Sequence, residues 1–305
     1  MPAAVDDYRA LRQEAGAVWL PRDFLRVDGP DAVSWLQGQL SQDVAALAVG
    51  AAADSFLLQP QGKVDAFLRV TRTGHEELVL DVDAGFGEAV AARLNRFKIR
   101  VKADMEPLAW RCLAIRGPQA HEVDVKLGDP TSTVVAADWP GLPGIDVLGP
   151  DNDMSVAPGV RQCGPEAWEA VRIEAGVPMM GRELTERTIP AEAGVVDRAV
   201  SFTKGCFTGQ ELVARIDSRG GNVPRRLRGI VLPGGDAGNA PPVGATVVAG
   251  DKEVGDLTSV AESPGREAPV ALAYIRREVE PPADAEVRWE GGSRPARVEA
   301  LPLVP

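Results

Sequence analysis

From Arg226 onward the chain is punctuated by Gly and Pro. The residues between them form short β-rich runs: Gly229 to Leu232, Ala245 to Val248, Val270 to Tyr274 and Ala285 to Trp289. Segments this short, divided by turn-formers, bury their apolar faces only by pairing with one another, so they predict an all-β barrel or sandwich. The boundary falls near residue 225, leaving a core domain over 1–225 and a β-unit over 226–305.

The residues ahead of that boundary mix strands and helices. Phe24 to Gly29 reads as a strand, and Gly29-Pro30-Asp31 opens a helix whose apolar positions are Val33, Leu36 and Leu40. Residues 54–60, 63–71 and 77–82 are apolar runs broken at Gly62 and near Gly74, the pattern of an antiparallel meander. Phe86, Val90, Leu94 and Phe97 mark a second helix, and Ile99 to Val101 resumes an extended pattern. Leu113 to Ala120 repeats the plan of Leu25 to Ala32. This fits two related lobes, and equally a common strand-to-helix turn used twice. Residues 128–165 read as irregular turns with short strands, and Pro165 to Ala175 as a helix closed by Gly176.

Composition bounds the function. A chain of 305 residues that is 45% hydrophobic and 25% charged has material for two or three compact domains. Met1 to Arg12 holds Asp6 and Asp7 where a secretory leader has a basic start and an apolar run. No stretch reaches the ~18 apolar residues of a membrane span, so a soluble, cytoplasmic protein without a membrane partner is expected. A net charge of −11 repels phosphate backbones and disfavours direct nucleic-acid binding. Cys112, Cys163 and Cys206 form no CxxC pair, and His75 and His121 lack supporting ligands, which argues against a disulfide framework or a metal held by this chain alone.

The densest chemistry lies in Lys204-Gly205-Cys206-Phe207-Thr208-Gly209-Gln210-Glu211. Thr208 and Glu211 have capping-box spacing ahead of Leu212, Val213 and Ile216, predicting a helix that runs to about Gly220. Cys206 then precedes a helix N-terminus and follows Lys204 by two residues, and both positive features favour a reactive thiolate; the alternative is a buried thiol beside a tight turn. Glu174 occupies the last turn of its helix, where the dipole disfavours a carboxylate by up to ~1 kcal/mol. Either an arginine such as Arg172 or Arg182 pairs with it, or a donor-rich ligand does. Asp65 begins an otherwise apolar strand and either faces solvent or serves a site. Cys112, Trp35 and Trp168 read as packing residues, Cys163 as an incidental loop thiol, and Arg225, Arg226 and Arg228 as a basic patch on an interdomain face.

The motif from Lys204 to Glu211 resembles, without substitution, the signature of the YgfZ-type folate-binding family. The resemblance extends through residues 24–44, 59–70, 171–195 and 254–260, and reaches the related T protein of the glycine cleavage system, an aminomethyltransferase. It implies an α+β fold in which two lobes and a C-terminal β-barrel surround a central folate pocket. It also implies tetrahydrofolate or a one-carbon derivative as cofactor, and iron-sulfur client enzymes or assembly proteins, including those that thiolate tRNA, as partners. Carried over by position, Glu174 reads the pterin, with Lys204, Arg182 and Gln210 as further folate contacts. Asp65 falls in the transferase's carboxylate region, and Cys206 is the family thiol. Ala66 stands where the transferase has a second acid, so the carboxylate pattern is incomplete. Three functions follow: a folate-dependent accessory protein, a one-carbon transferase, or a non-catalytic interaction scaffold.

Overall fold

The computed structural model describes residues 2–150, 154–233 and 240–304. Its first sheet is antiparallel, in the order β3 (Ala52–Leu58), β4 (Val64–Arg72), β5 (Glu77–Asp83), β2 (Arg22–Asp28) and β6 (Asp104–Leu108). The first three strands are the expected meander. Strand β2 runs into Gly29, whose φ of +127° and close approach to the Lys102 carbonyl exclude a side chain: a Cβ there would lie 2.6 Å from that oxygen. The chain then enters α2 (Ala32–Gln39), which buries Ala32, Trp35 and Leu36. Of the predicted apolar positions Leu36 and Leu40 are fully buried, Leu40 as the C-cap, and Val33 packs at the edge of the same core. Helix α3 (Gly87–Arg96) covers the same face with Val90 and Leu94. Each fully buried leucine of this layer, such as Leu36, Leu58 or Leu94, contributes about 1.5–3 kcal/mol. Residues 99–101 do not form the expected extended segment. Arg100 takes a left-handed φ of +57°, and β6 begins only at Asp104.

The second sheet has the order β12 (Arg161–Gln162), β1 (Gly16–Leu20), β7 (Trp110–Arg116), β10 (Gly144–Pro150) and β9 (Thr133–Ala136). A two-stranded pair, β8 (Val125–Lys126) with β11 (Ser155–Val156), lies beside it. The echo noted between residues 25–32 and 113–120 has a physical basis. Both strands end at a glycine with φ near +130°, Gly29 and Gly117, pressed against backbone. After Gly117 only a 3₁₀ turn forms, at Ala120–Glu122. Within residues 128–165, read as irregular turns with short strands, β10 is a seven-residue strand buried almost throughout. Facing apolar residues join the two sheets: Phe24 and Val79 of the first pack with Cys112, Val135 and Leu148 of the second.

Helix α1 (Pro2–Gln13), which the sequence pattern did not reveal, packs on α4 (Pro165–Ala175) through Tyr8, Leu11, Trp168 and Val171. Cys163 belongs to this cluster too; burial makes it a packing residue. Gly176 closes α4 with φ +72°, as expected.

The C-terminal unit is a closed six-stranded barrel, ordered β13 (Arg225–Val231), β16 (Ala268–Arg276), β15 (Lys252–Ser263), β14 (Thr246–Ala249), β17 (Ala283–Trp289) and β18 (Gly292–Glu299). Its interior holds Ile230, Val247, Leu257, Ala271, Val287 and Val298. Closure, through β13 pairing with β18, leaves the barrel no open edge. Ile173 of α4 packs with Leu227, Tyr274 and Leu303, so one helix joins core and barrel. Among the described residues, no helix is long and apolar enough to cross a membrane.

The short helices α5 (Val196–Ala199) and α6 (Gln210–Asp217) complete the first lobe. Gly209, with φ +80°, touches the β3–β4 turn so closely that a Cβ would lie 2.3 Å from the Gln59 carbonyl oxygen. Gly209→Ala is therefore expected to cost about 2–3 kcal/mol, read as a lowered denaturation midpoint with an unchanged slope.

Candidate functional site

Where the two sheets, α1, α4 and strand β15 of the barrel meet, they enclose a cavity of about 1460 Å³. That volume exceeds the roughly 300–1,000 Å³ typical of small-molecule sites. Phe67, Trp139, Trp168 and Met179 provide apolar wall. Trp139 and Trp168 pack in a tilted arrangement, ring centroids 4.6 Å apart and planes inclined by 58°, and the Arg116 guanidinium lies 4.6 Å and 5.1 Å from them. Trp168 is thus a cavity residue as well as a packing one.

The polar part of the wall is a chain of alternating charges. Arg22 of β2 bonds Asp81, and reaches Asp83 at 3.0 Å. Arg69 of β4 bonds both Asp81 oxygens at 2.9 and 3.1 Å, and its far nitrogen donates to Asp146 Oδ2 at 2.6 Å. Arg116 of β7 donates to Asp146 Oδ1 at 2.7 Å. Asp146 therefore joins arginines from both sheets. Burial works to raise its pKa, but Arg116 and then Arg69 overcome this and hold the carboxyl well below the usual carboxylate range. Each of its oxygens has one arginine partner and keeps accepting capacity. Arg116 also has a buried Nε with no hydrogen-bond partner. The wall thus combines a fixed anion, guanidinium donors and aromatic faces, a set that fits a flat heterocycle bearing both donors and acceptors, as a reduced pterin does.

Of the six residues nominated from sequence, Arg182 alone lines the cavity, at its exposed rim and paired with Glu169 at 2.5 Å. Glu174 does not line it. Its carboxylate is fully buried behind Tyr8, accepting from Tyr8 Oη at 2.9 Å, from Arg12 Nη2 at 2.6 Å and from Ser263 Oγ. Burial, then the Glu174 charge, pushes the Tyr8 phenol up to about 12, keeping it a donor. The partner that offsets the unfavourable helix end is thus Arg12, from the unpredicted α1, and not Arg172 or Arg182. Arg172 pairs instead with Glu169 and Glu183.

Asp65 is tied to Arg93 at 2.8 Å, away from the cavity lining, and Ala66 beside it is buried in the core. Lys204 donates to the carbonyls of Gln37, Leu40 and Gln42 at 2.6, 2.6 and 2.9 Å, capping the C-terminus of α2. Burial draws its pKa down to about 8. The Gln210 side chain accepts from the Phe207 amide at 3.1 Å, inside its own turn. The Thr208–Glu211 capping box does not form: α6 starts at Gln210, with Gly209 as its N-cap and no side-chain cap. Cys206 is exposed, but the helix start lies further on than expected and the Lys204 ammonium is committed to α2.

Asp146, Arg69, Arg116 and Trp139 were missed. A signal existed: Asp146 is a lone acid in Gly144-Ile145-Asp146-Val147-Leu148, just as Arg69 is a lone base in Phe67-Leu68-Arg69-Val70.

The architecture is shared with known proteins. Residues 2–137 match the GCVT N-terminal domain and residues 225–305 the glycine cleavage T-protein C-terminal barrel domain. The aminomethyltransferase of Thermus thermophilus is 30% identical, over 99% of this chain and 90% of that protein. This chain belongs to the glycine cleavage T-protein family. A T-protein homologue from Corynebacterium aurimucosum, also an aminomethyltransferase, is 28% identical over 98% of this chain and 89% of its own length. The crystal structure of the glycine cleavage system aminomethyltransferase T from Bartonella henselae superposes with a TM-score of 0.83 at 22% identity, covering 99% of this chain and 89% of that one. The T-protein fold expected from sequence, an α+β core with a C-terminal barrel, is the fold observed.

Two outcomes follow from this T-protein wall and its surroundings. Asp146→Asn leaves two buried guanidinium groups short of a counter-charge and should cost about 3–5 kcal/mol at neutral pH. Because the folded-state pKa lies below the unfolded one, Asp146 stabilises above about pH 4 and loses that contribution as pH falls further, so denaturation curves of variant and parent should converge in acid. Thiol titration of the native protein at neutral pH should count one fast group, Cys206. Cys112 is fully buried with its pKa raised by burial, and Cys163 is buried and pushed up to about 12, so both should react only on unfolding.

Proposed function

We propose that the chain binds tetrahydrofolate or a one-carbon derivative in the central cavity. In this reading it serves as a YgfZ-type accessory protein for iron-sulfur enzymes, including those of tRNA modification, without transferring aminomethyl groups. One observation carries the folate part: Asp146, held ionised between Arg69 and Arg116, lines the central cavity together with the Trp139–Trp168 pair against which Arg116 lies. The carboxylate accepts N–H groups of a pterin edge, Arg116 donates to a ring oxygen, and the indoles cover apolar ring surface. Arg182 at the rim meets the acidic tail. Membership of a family whose curated relatives are aminomethyltransferases supports a folate-derived ligand.

The accessory role rests on Cys206 and on the carboxylates. Cys206 presents an exposed thiol to a client in the cytoplasm. Asp65 is neutralised by Arg93, Ala66 offers no acid, and the buried carboxylates Asp146 and Asp81 are engaged by arginine. Asp146, the buried carboxylate that lines the cavity, is therefore not free to act as a general base of the kind amine transfer needs. The transferase reading is favoured by the similarity to aminomethyltransferases and predicts turnover of an aminomethyl donor that Asp65→Asn abolishes.

Calorimetric titration with tetrahydrofolate and its formyl and methylene derivatives tests the proposal. Saturating binding should stabilise the fold by about 2.7 kcal/mol at a hundredfold excess over Kd. Ala53→Phe, which puts a phenyl ring into the cavity lining, should weaken binding by about tenfold or more. Undiminished affinity in that variant would place the ligand elsewhere, and turnover by the parent would restore the transferase.

A further inference from the structure

The crossing from α3 to β6 carries a basic and apolar knob that the cavity does not use. After α3 the chain turns tightly: the Phe97 amide donates to Leu94, Lys98 to Asn95 and Ile99 to Phe97. Ile99 is 76% exposed and Phe97 40%, and Ile99 is the more exposed of any large apolar residue among those described. Around them stand Arg96, Arg100 and Lys102, whose side chains make no hydrogen bond or ion pair with the described residues, and Lys98, which reaches Asp104 only at 4.0 Å. Arg100 holds a left-handed backbone, φ +57°, that glycine would adopt at lower cost.

The turn is pinned at both ends. On one side Arg93 bonds Asp65 and the Leu58 carbonyl and lies over the Phe97 ring at 4.2 Å. On the other, Asp31 accepts from the Lys102 amide at 2.8 Å and Ala103 is buried. The knob is therefore preorganised, and ordering it on contact costs little.

We propose that this turn is a docking surface for an acidic protein partner, with Ile99 entering an apolar hole and Arg96, Arg100 and Lys102 meeting carboxylates at its rim. A central aliphatic anchor ringed by cations is the form of a protein-protein contact. Nucleic acid fits less well, since the Phe97 ring already carries Arg93 on one side and a molecule of net charge −11 repels an extended polyanion. An anionic membrane gains about fivefold in affinity per surface cation, and so few cations with one inserted isoleucine do not offset the same net repulsion.

The test uses the full chain and a fluorescein-labelled amphipathic peptide of Glu and Leu, followed by anisotropy. This peptide should bind about tenfold more tightly than an all-Glu peptide, and weaken as salt is raised. Ile99→Ser and Arg100→Glu should each lose about tenfold with unchanged melting temperature, while Arg276→Glu, an exposed arginine on the barrel, should stay within about twofold. Undiminished binding by Ile99→Ser overturns the proposal. So does tighter binding of the parent chain to phosphatidylglycerol vesicles or to a single-stranded RNA than to the peptide.

Discussion

The contact between Asp146 and its two arginines organises the centre of this molecule. Arg69 comes from the first sheet, Arg116 from the second, and a single carboxylate ties them 2.6 and 2.7 Å away. Desolvating three ions is costly, and a well-packed apolar substitute is often as stable, so such a triad is weak evidence of a stability device. It does provide direction. A carboxylate fixed by two guanidinium groups cannot rotate or protonate near neutral pH, and its remaining lone pairs stay aimed where the fold points them. Arg22 and Asp81 extend the chain of charges and hold Arg69 in turn.

Glu174 shows how similar chemistry serves a different purpose. It too is a buried acid with cationic and hydroxyl partners, but those partners come from α1 and from β15, and the Glu174 carbonyl accepts from the Leu303 amide near the C-terminus. The residue fastens the N-terminal helix, α4 and the barrel into one body. The cavity exists because these three parts are held at a fixed distance, so Glu174 acts on the site through architecture without touching it.

The segment from Lys204 to Glu211 divides its labour in the same way. Lys204 satisfies three carbonyls at the end of α2, Gly209 permits close approach to the β3–β4 turn, and Gln210 closes the local turn. Each of these conserves a shape. Cys206 and Glu211 carry the side chains of the group that stand exposed at the surface.

Much of the fold was legible in the chain because local rules apply to it. Apolar runs broken at Gly62 and near Gly74 mark the meander, Gly176 closes α4, and the Gly/Pro rhythm after Arg226 announces an all-β barrel or sandwich. Strands β15 and β18 were harder to see, as charges on their outer faces dilute the apolar pattern, and α1 escaped because its partner α4 lies far away in sequence. The site was less legible still. A carboxylate's role depends on which cation faces it, and Arg12 lies 162 residues from Glu174 while Arg69 lies 77 from Asp146. The linear sequence determined which residue types were available and which segments would be strand or helix. Only the tertiary structure decided which acid faces the cavity and which is spent as a bracket, because electrostatic pairing is set by distance in space, and that is settled only when the two sheets, α1 and the barrel have packed.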